Sequence, residues 1–454
     1  MMKCDILIND CRILTPEYSI EKNYSIAIKD SLILDIGPTA DMKTRYEGKE
    51  TIKGTGKLAM PGFVDGHTHT SQQLLRGRIT DEYPVIYLRF NLPYESKLDE
   101  HDVGLCTSLS CLEMIKSGIT SFADAGSTDL HKVVEKVSQS GLRGALTRAT
   151  SDRGDLLPPN MKDTTSEAIR KTEHLYKEFH GSGDGRINIW FQFRSVATCS
   201  EELIRGVAQK AREYNTGLHT HLSEYNETIL YTLGKYGIRE VEFLDRLGAV
   251  GPNLLAAHSI LINDHDIKIL KDRDAKIIHC PRSNLGKGFT KTPQLLSLGM
   301  SVGLGTDGTA HSGLSMFREM TAFRHSQIAQ WGVPYFDSSV MPTKTLIEMA
   351  TLGGARALLM DDQIGTLEVG KKADIIMINI DQPHIIPTHN LLNTLTETVE
   401  TNDIVDMIVN GKILMENRLV KSIDEEKLMY EAKSRYKGIL DINDWDDKLA
   451  VGEI

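Results

Sequence analysis

Between residues 58 and 305 short apolar runs alternate with longer stretches whose apolar positions fall three or four residues apart. The runs are 58–64, 119–124, 143–149, 186–193, 216–222, 254–258, 275–280 and 301–305. A short run without a polar face predicts a strand buried on both sides, and the spacing between runs is that of an amphipathic helix. Glu100 to Lys116 shows the second pattern: apolar residues stand at 103, 105, 109, 112 and 115, and Gly118 follows as a stop signal. Strands alternating with helices in this number predict an α/β protein, a (β/α)8 TIM-type barrel over 58–364.

The two ends of the chain have a different texture. CDILIND, CRILT, YSIAIKD and SLILDIG in residues 1–57 are short β runs punctuated by Asn, Asp, Gly and Pro. GTLEVGKKADIIMINI (365–380) and IVDMIVNGKILMENRLV (404–420) share that character. A small β-sandwich domain built from 1–57 together with 365–425 is therefore expected, with 426–454 as a C-terminal helical tail. No internal repeat is visible.

Charge and cysteine usage narrow the partners. The 454 residues carry 52 Lys and Arg against 62 Asp and Glu, a net charge of −10. That balance argues against nucleic acid or an anionic membrane as a partner and for a small molecule. No apolar run approaches the roughly 18 residues of a membrane span. The first residues are broken by Asp5, Asn9 and Asp10, unlike a secretory leader. The six cysteines form no CxxC pair, so reduced thiols in the cytoplasm are expected. A homo-oligomer, dimer or tetramer, is expected as well.

The chemistry lies at the ends of the apolar runs. His67 and His69, in PGFVDGHTHT, are two residues apart, and on extended backbone such side chains point to one side. In a barrel every strand delivers its carboxyl end to one face, where the active sites of this fold lie. The reading puts His67 and His69 after strand one, Arg148 after strand three, and Arg194 after strand four. His221 and Glu224 follow strand five, His258 ends strand six, His279 lies in strand seven, and Asp307 follows strand eight. Imidazoles with a carboxylate suit Zn²⁺ or Fe²⁺. A metal with an open position brings bound water towards ionisation near neutral pH. Asp307 can serve as ligand and proton acceptor, Glu224 can overhang the metal as a proton shuttle, and His258 can polarise the attacking water. His219 and His221 share a strand face, so alternation alone does not choose between them.

Together these residues resemble the amidohydrolase superfamily, and within it the methylthioadenosine/S-adenosylhomocysteine deaminases, guanine deaminases and triazine hydrolases. The likeness spans nearly the whole chain through PGFVDGHTHT, Leu75-Arg76-Gly77, LPYESKL (92–98), HLSE, AAHS, HCPRSNLGKG (279–288), LGTDG and IGTLEVGKKADIIMI (364–378). It implies one divalent metal, zinc before iron, held by His67, His69, His221 and Asp307, with Glu224 and His258 moving protons and orienting water. Two-metal members use a carboxylated lysine after strand four, where this chain has Gln192-Phe193-Arg194.

For the substrate the resemblance is mixed. Glu95 and Arg148 match residues that bind the ribose and tail in adenosyl deaminases, whereas Gln72 and Arg194 match ring-carbonyl contacts of guanine deaminases, and His279 opens the HCPxSN segment. The expected reaction is hydrolytic replacement of an exocyclic amine on a purine-, pterin- or nucleoside-like heterocycle, releasing ammonia. A triazine-type chlorohydrolase is the rival. A metal-free assembly protein is the alternative of another class. Arg148 and Arg194 at the barrel mouth predict a substrate bearing a ring carbonyl or carboxylate.

Overall fold

A computed structural model of the chain describes residues 1–82, 86–155 and 157–443. Five strands come first: β1 (Met2–Leu14), β2 (Ile20–Lys29), β3 (Leu32–Pro38), β4 (Tyr46–Lys53) and β5 (Lys57–Pro61). The next eight are β6 (Phe63–Thr68), β7 (Ile119–Ser127), β8 (Arg143–Arg148), β9 (Ile187–Gln192), β10 (Leu218–Leu222), β11 (Leu254–His258), β12 (Lys276–His279) and β13 (Val302–Leu304). Four more follow: β14 (Ile375–Asn379), β15 (Ile404–Val409), β16 (Lys412–Glu416) and β17 (Leu419–Val420).

Strands β6 to β13 pair in parallel and in sequence order, with helices between them, as the alternating pattern predicts. The ends of this sheet meet where the Asp307 N–H donates to the His67 carbonyl at 2.9 Å, bringing the loop after β13 against β6. The interior is filled unevenly, with Ala123 and Ala145 beside Trp190 and Ile278. A Cβ on Gly217 would stand 2.0 Å from the Trp190 ring, so the small residue makes room for the large one.

The remaining strands form one nine-stranded mixed sheet in the order β17-β16-β15-β14-β5-β1-β2-β3, with β4 on β1. Both chain ends supply strands to this sheet, in which Ile8, Ile26 and Ile52 share a buried cluster with Ile375 and Ile408. The run 58–64, read as one barrel strand, is two strands of two sheets. The switch falls at Gly62, whose N–H donates to Asp374 O at 3.0 Å, while that of Phe63 donates to Gly118 O at 2.9 Å. A side chain on Gly62 would meet Thr120 Cγ2 at 2.1 Å, so only glycine lets the chain cross over there.

The helix Glu100–Lys116 has the limits that its pattern predicts, and Asp99 and Asp102 cap its first turn reciprocally. Of the expected tail, a helix runs over Glu425–Asn443, and 444–454 lie outside the described residues. Arg435 of this helix forks onto buried Asp102, at 2.5 and 2.8 Å, tying it to the barrel.

Candidate active site

Four groups converge at the carboxyl end of the barrel. His67 lies in β6 and His69 just after it; His221 lies in β10, and Asp307 follows β13. The Nε2 atoms of His67 and His69 stand 3.3 and 3.4 Å from Asp307 Oδ1, and His221 Nε2 is 3.3 Å from His69 Nε2. Ligands bonded at about 2.0–2.1 Å to a tetrahedral centre are separated by about 3.3 Å. The spacing of this set fits one divalent metal ion. Two glycines allow the approach: a Cβ on Gly305 would lie 2.8 Å from His67 N, and one on Gly308 3.0 Å from His69 N.

The surroundings prepare the rings as ligands. His221 Nδ1 donates to Arg194 O at 3.2 Å, leaving its Nε2 lone pair free to face His69. His219, which shares a face with His221, stands with its Nε2 2.8 Å from His67 Nδ1. With His67 Nδ1 donating to His219 Nε2, the lone pair of neutral His67 lies on Nε2, turned towards Asp307. That atom is buried without a hydrogen-bond partner among the described residues. Burial lowers the His67 pKa to about 4 and that of His221 well below the usual imidazole value, which keeps both rings neutral. At the strand-four end Gln192 accepts from Thr147 Oγ1 at 2.8 Å and donates to Ala125 O at 2.7 Å, filling the place of the lysine.

Glu224 and His258 face the same point. Glu224 Oε2 is 3.6 Å from His258 Nε2, and either side chain can bring a ligand atom within 4.8 Å of one on Asp307. The Asn284 amide is satisfied when its nitrogen donates to His258 Nδ1 at 3.0 Å and to Cys280 O at 3.2 Å. That bond makes Nδ1 an acceptor and puts the ring N–H of His258 on Nε2, towards Glu224.

The expected substrate contacts divide. Arg194 lines the pocket over His69, His221 and Asp307, together with Tyr87, Asn91, Ser195, Ser223, Tyr225, Thr228 and His311. Behind it Glu95 is fully engaged, receiving Arg194 Nη1 at 3.1 Å and Gln72 Nε2 at 2.6 Å. Arg148 turns elsewhere: its Nη2 donates to Asp163 Oδ2 at 2.5 Å, in an ion pair that Lys171 shares, and it is absent from the pocket wall. His279 also stays out of the wall. Its Nδ1 donates to His258 O at 2.8 Å, so it supports His258 from behind. His311 reaches within 3.8 Å of Asp307 Oδ2.

Sequence reasoning did not single out Tyr87 and Asn91, which sit on one turn of a helix over Tyr87–Asn91, nor Tyr225. The Tyr87 and Tyr225 ring centroids are 5.7 Å apart, so the two form an aromatic wall. The only signal for Tyr225 is its place next to Glu224.

A model of the amidohydrolase family matches residues 58–414. The chain belongs to that family. Among amidohydrolases it is 36% identical over 443 residues to a 5-methylthioadenosine/S-adenosylhomocysteine deaminase of Thermoanaerobacter pseudethanolicus, covering 96% of this chain and 99% of the relative. It is 33% identical to a 5'-deoxyadenosine deaminase of Methanosarcina acetivorans, over 95% of this chain and 97% of that one. Among solved structures, an adenosine deaminase from Xanthomonas campestris with bound zinc superposes with a TM-score of 0.90 at 26% identity, covering 96% of this chain and 99% of the other. The guanine deaminase of E. coli shares the fold, with a TM-score of 0.80 at 22% identity over 91% and 98% of the two chains. No helix among the described residues is long and apolar enough to cross a membrane.

Proposed function

We propose that this amidohydrolase is a zinc-dependent deaminase that replaces the exocyclic amine of a purine base or purine nucleoside by hydroxyl and releases ammonia. The observation that carries the reading is the convergence of His67 and His69 Nε2 on Asp307 Oδ1 at 3.3 and 3.4 Å, with His221 Nε2 3.3 Å from His69 Nε2 and a second carboxylate, Glu224, close by. The full-length likeness to adenosyl deaminases supports the purine class. His67, His69, His221 and Asp307 would hold the metal, which when bound supplies a Lewis acid that lowers the pKa of water.

The rest falls to the chain's own residues. Asp307 accepts the proton of the attacking water, and His258, oriented by Asn284, holds that water in line with the ring carbon. Glu224 takes the other proton of that water to the adjacent ring nitrogen, and the proton held on Asp307 passes to the departing amine, so both water protons end in the products. Tyr87 and Tyr225 stack the heterocycle, and Arg194 binds an oxygen on its ring. Six buried cysteines without a disulfide are in keeping with an enzyme of the reducing cytoplasm, and we include a homo-oligomeric state in the proposal.

The test is ammonia release by the zinc-loaded enzyme from adenosine, 5'-deoxyadenosine, 5-methylthioadenosine, guanine, an aminopterin ring and a chlorotriazine. Ammonia from a purine compound is expected. Chloride from the triazine with no ammonia from any purine would overturn the reading.

A further inference from the structure

Lys287 has no part in the reaction as described above, yet it is buried beside it. Its side chain is 10% exposed, in the loop that follows the short helix Pro281–Asn284. Its Nζ donates to Glu224 Oε1 at 2.6 Å and to Ser283 Oγ at 2.9 Å. Ser283 Oγ in turn donates to Asp307 Oδ2 at 2.5 Å. The ammonium also stands 5.0 Å from the centre of the Tyr225 ring, within range of a cation–π contact. A lysine is seldom buried to this degree unless its charge is matched. Here the match is the carboxylate expected to shuttle the proton.

The division of oxygens is the informative part. Lys287 occupies Oε1 of Glu224, so Oε2 is the oxygen left facing His258 at 3.6 Å. Asp307 is divided in the same way: Oδ2 goes to Ser283, and Oδ1 faces His67 and His69. One ammonium, directly and through one hydroxyl, thus fixes which oxygen each carboxylate presents to the pocket.

We propose that Lys287 is a positioning residue for the deamination, holding Glu224 by one oxygen so that the other meets the substrate's ring nitrogen. The inference rests on the deaminase reading. It predicts that the larger part of the effect of Lys287 runs through Glu224, its direct carboxylate partner, with Ser283 left in place to hold Asp307. Replacing it should lower kcat far more than it changes KM or metal content.

The experiment is a double-mutant cycle with Lys287→Met, Glu224→Gln and the pair, assayed on whichever of adenosine or guanine the zinc-loaded parent turns over faster. Lys287→Met should reduce kcat by about 100-fold, the scale of one misplaced general acid–base group. In the Glu224→Gln background the same change should cost less than about three-fold, as for residues acting as a unit. Independent, multiplying losses would overturn the proposal, as would a Lys287→Met enzyme within a few-fold of the parent. If Lys287→Met does not fold, Lys287→Gln, which keeps a donor and removes the charge, enters the same cycle under the same criteria. Full turnover by Glu224→Gln alone would sink the deaminase reading along with this one. A loss confined to Glu224→Gln would sink only the role of Lys287.

Discussion

His67 and Asp307 meet twice, in a backbone hydrogen bond at 2.9 Å and where His67 Nε2 stands 3.3 Å from Asp307 Oδ1. The contact that brings the two ends of the barrel sheet together is therefore also one edge of the candidate metal site. A fold that closes this way positions two ligands without a loop of its own to hold them, which is how a rigid scaffold preorganises a site.

Gly305→Ala tests that coupling. The added methyl would press on the His67 backbone at 2.8–2.9 Å. Overpacking of this kind costs about 1–3 kcal/mol. A lower unfolding midpoint in urea together with reduced zinc content is expected. A variant with the parent's midpoint and full zinc content would show that the seam tolerates movement.

Removing the metal should abolish turnover and destabilise the protein, since only the folded chain assembles the four ligands. The zinc-free enzyme is expected to melt at a lower temperature than the loaded one, with recovery on adding zinc. Asp307→Ala should behave like the zinc-free enzyme in both respects. Identical melting curves with and without chelator would count against the ligand set.

Much of this was legible in the sequence. HTH, HLSE, AAHS and TDG stand at strand ends, where the repeating apolar runs force convergence, so His67, His69, His221, Glu224, His258 and Asp307 meet as expected. What could not be read depends on pairings over distance. The partner of Arg148 is Asp163, on a connection whose path no local pattern dictates. The run 58–64 looks continuous because both sheets bury it, and only the hydrogen bonds on either side of Gly62 divide it. Lys287 lies in a segment whose histidine, serine and asparagine drew the comparison, and its burial is a tertiary fact.

Arg194→Ala should have two effects. It leaves buried Glu95 with Gln72 as its one remaining hydrogen-bond partner among the described residues, and breaking a buried pair from one side costs about 3–5 kcal/mol. It also removes the guanidinium from the pocket wall, so activity on a guanine-like ring should fall by more than activity on an adenosine-like one. Equal small losses on both compounds would remove Arg194 from substrate recognition.

The buried carboxyl of Glu319 gives a pH signature. Burial raises its pKa to about 8 from the ordinary glutamate value of 4.5. The folded state therefore holds a proton that the unfolded chain loses, so its contribution is full below 4.5 and is lost as pH rises through 8. Glu319→Gln should flatten the fall in stability across that window, by an amount on the order of a few kcal/mol. Urea midpoints at several pH values would measure it, and parallel curves for parent and variant would refute the assignment.

The most direct test of the central claim is the stoichiometry of ammonia to oxo-purine product in a single reaction, followed for the zinc-loaded enzyme and for Glu224→Gln. Here the product is the purine carrying a ring oxygen in place of its amine, formed by hydrolysis with no change of redox state. The account predicts one ammonia for each such product with the parent enzyme, and a loss of about 100-fold or more in both with the variant. Product without ammonia, or undiminished ammonia release by Glu224→Gln, would contradict it.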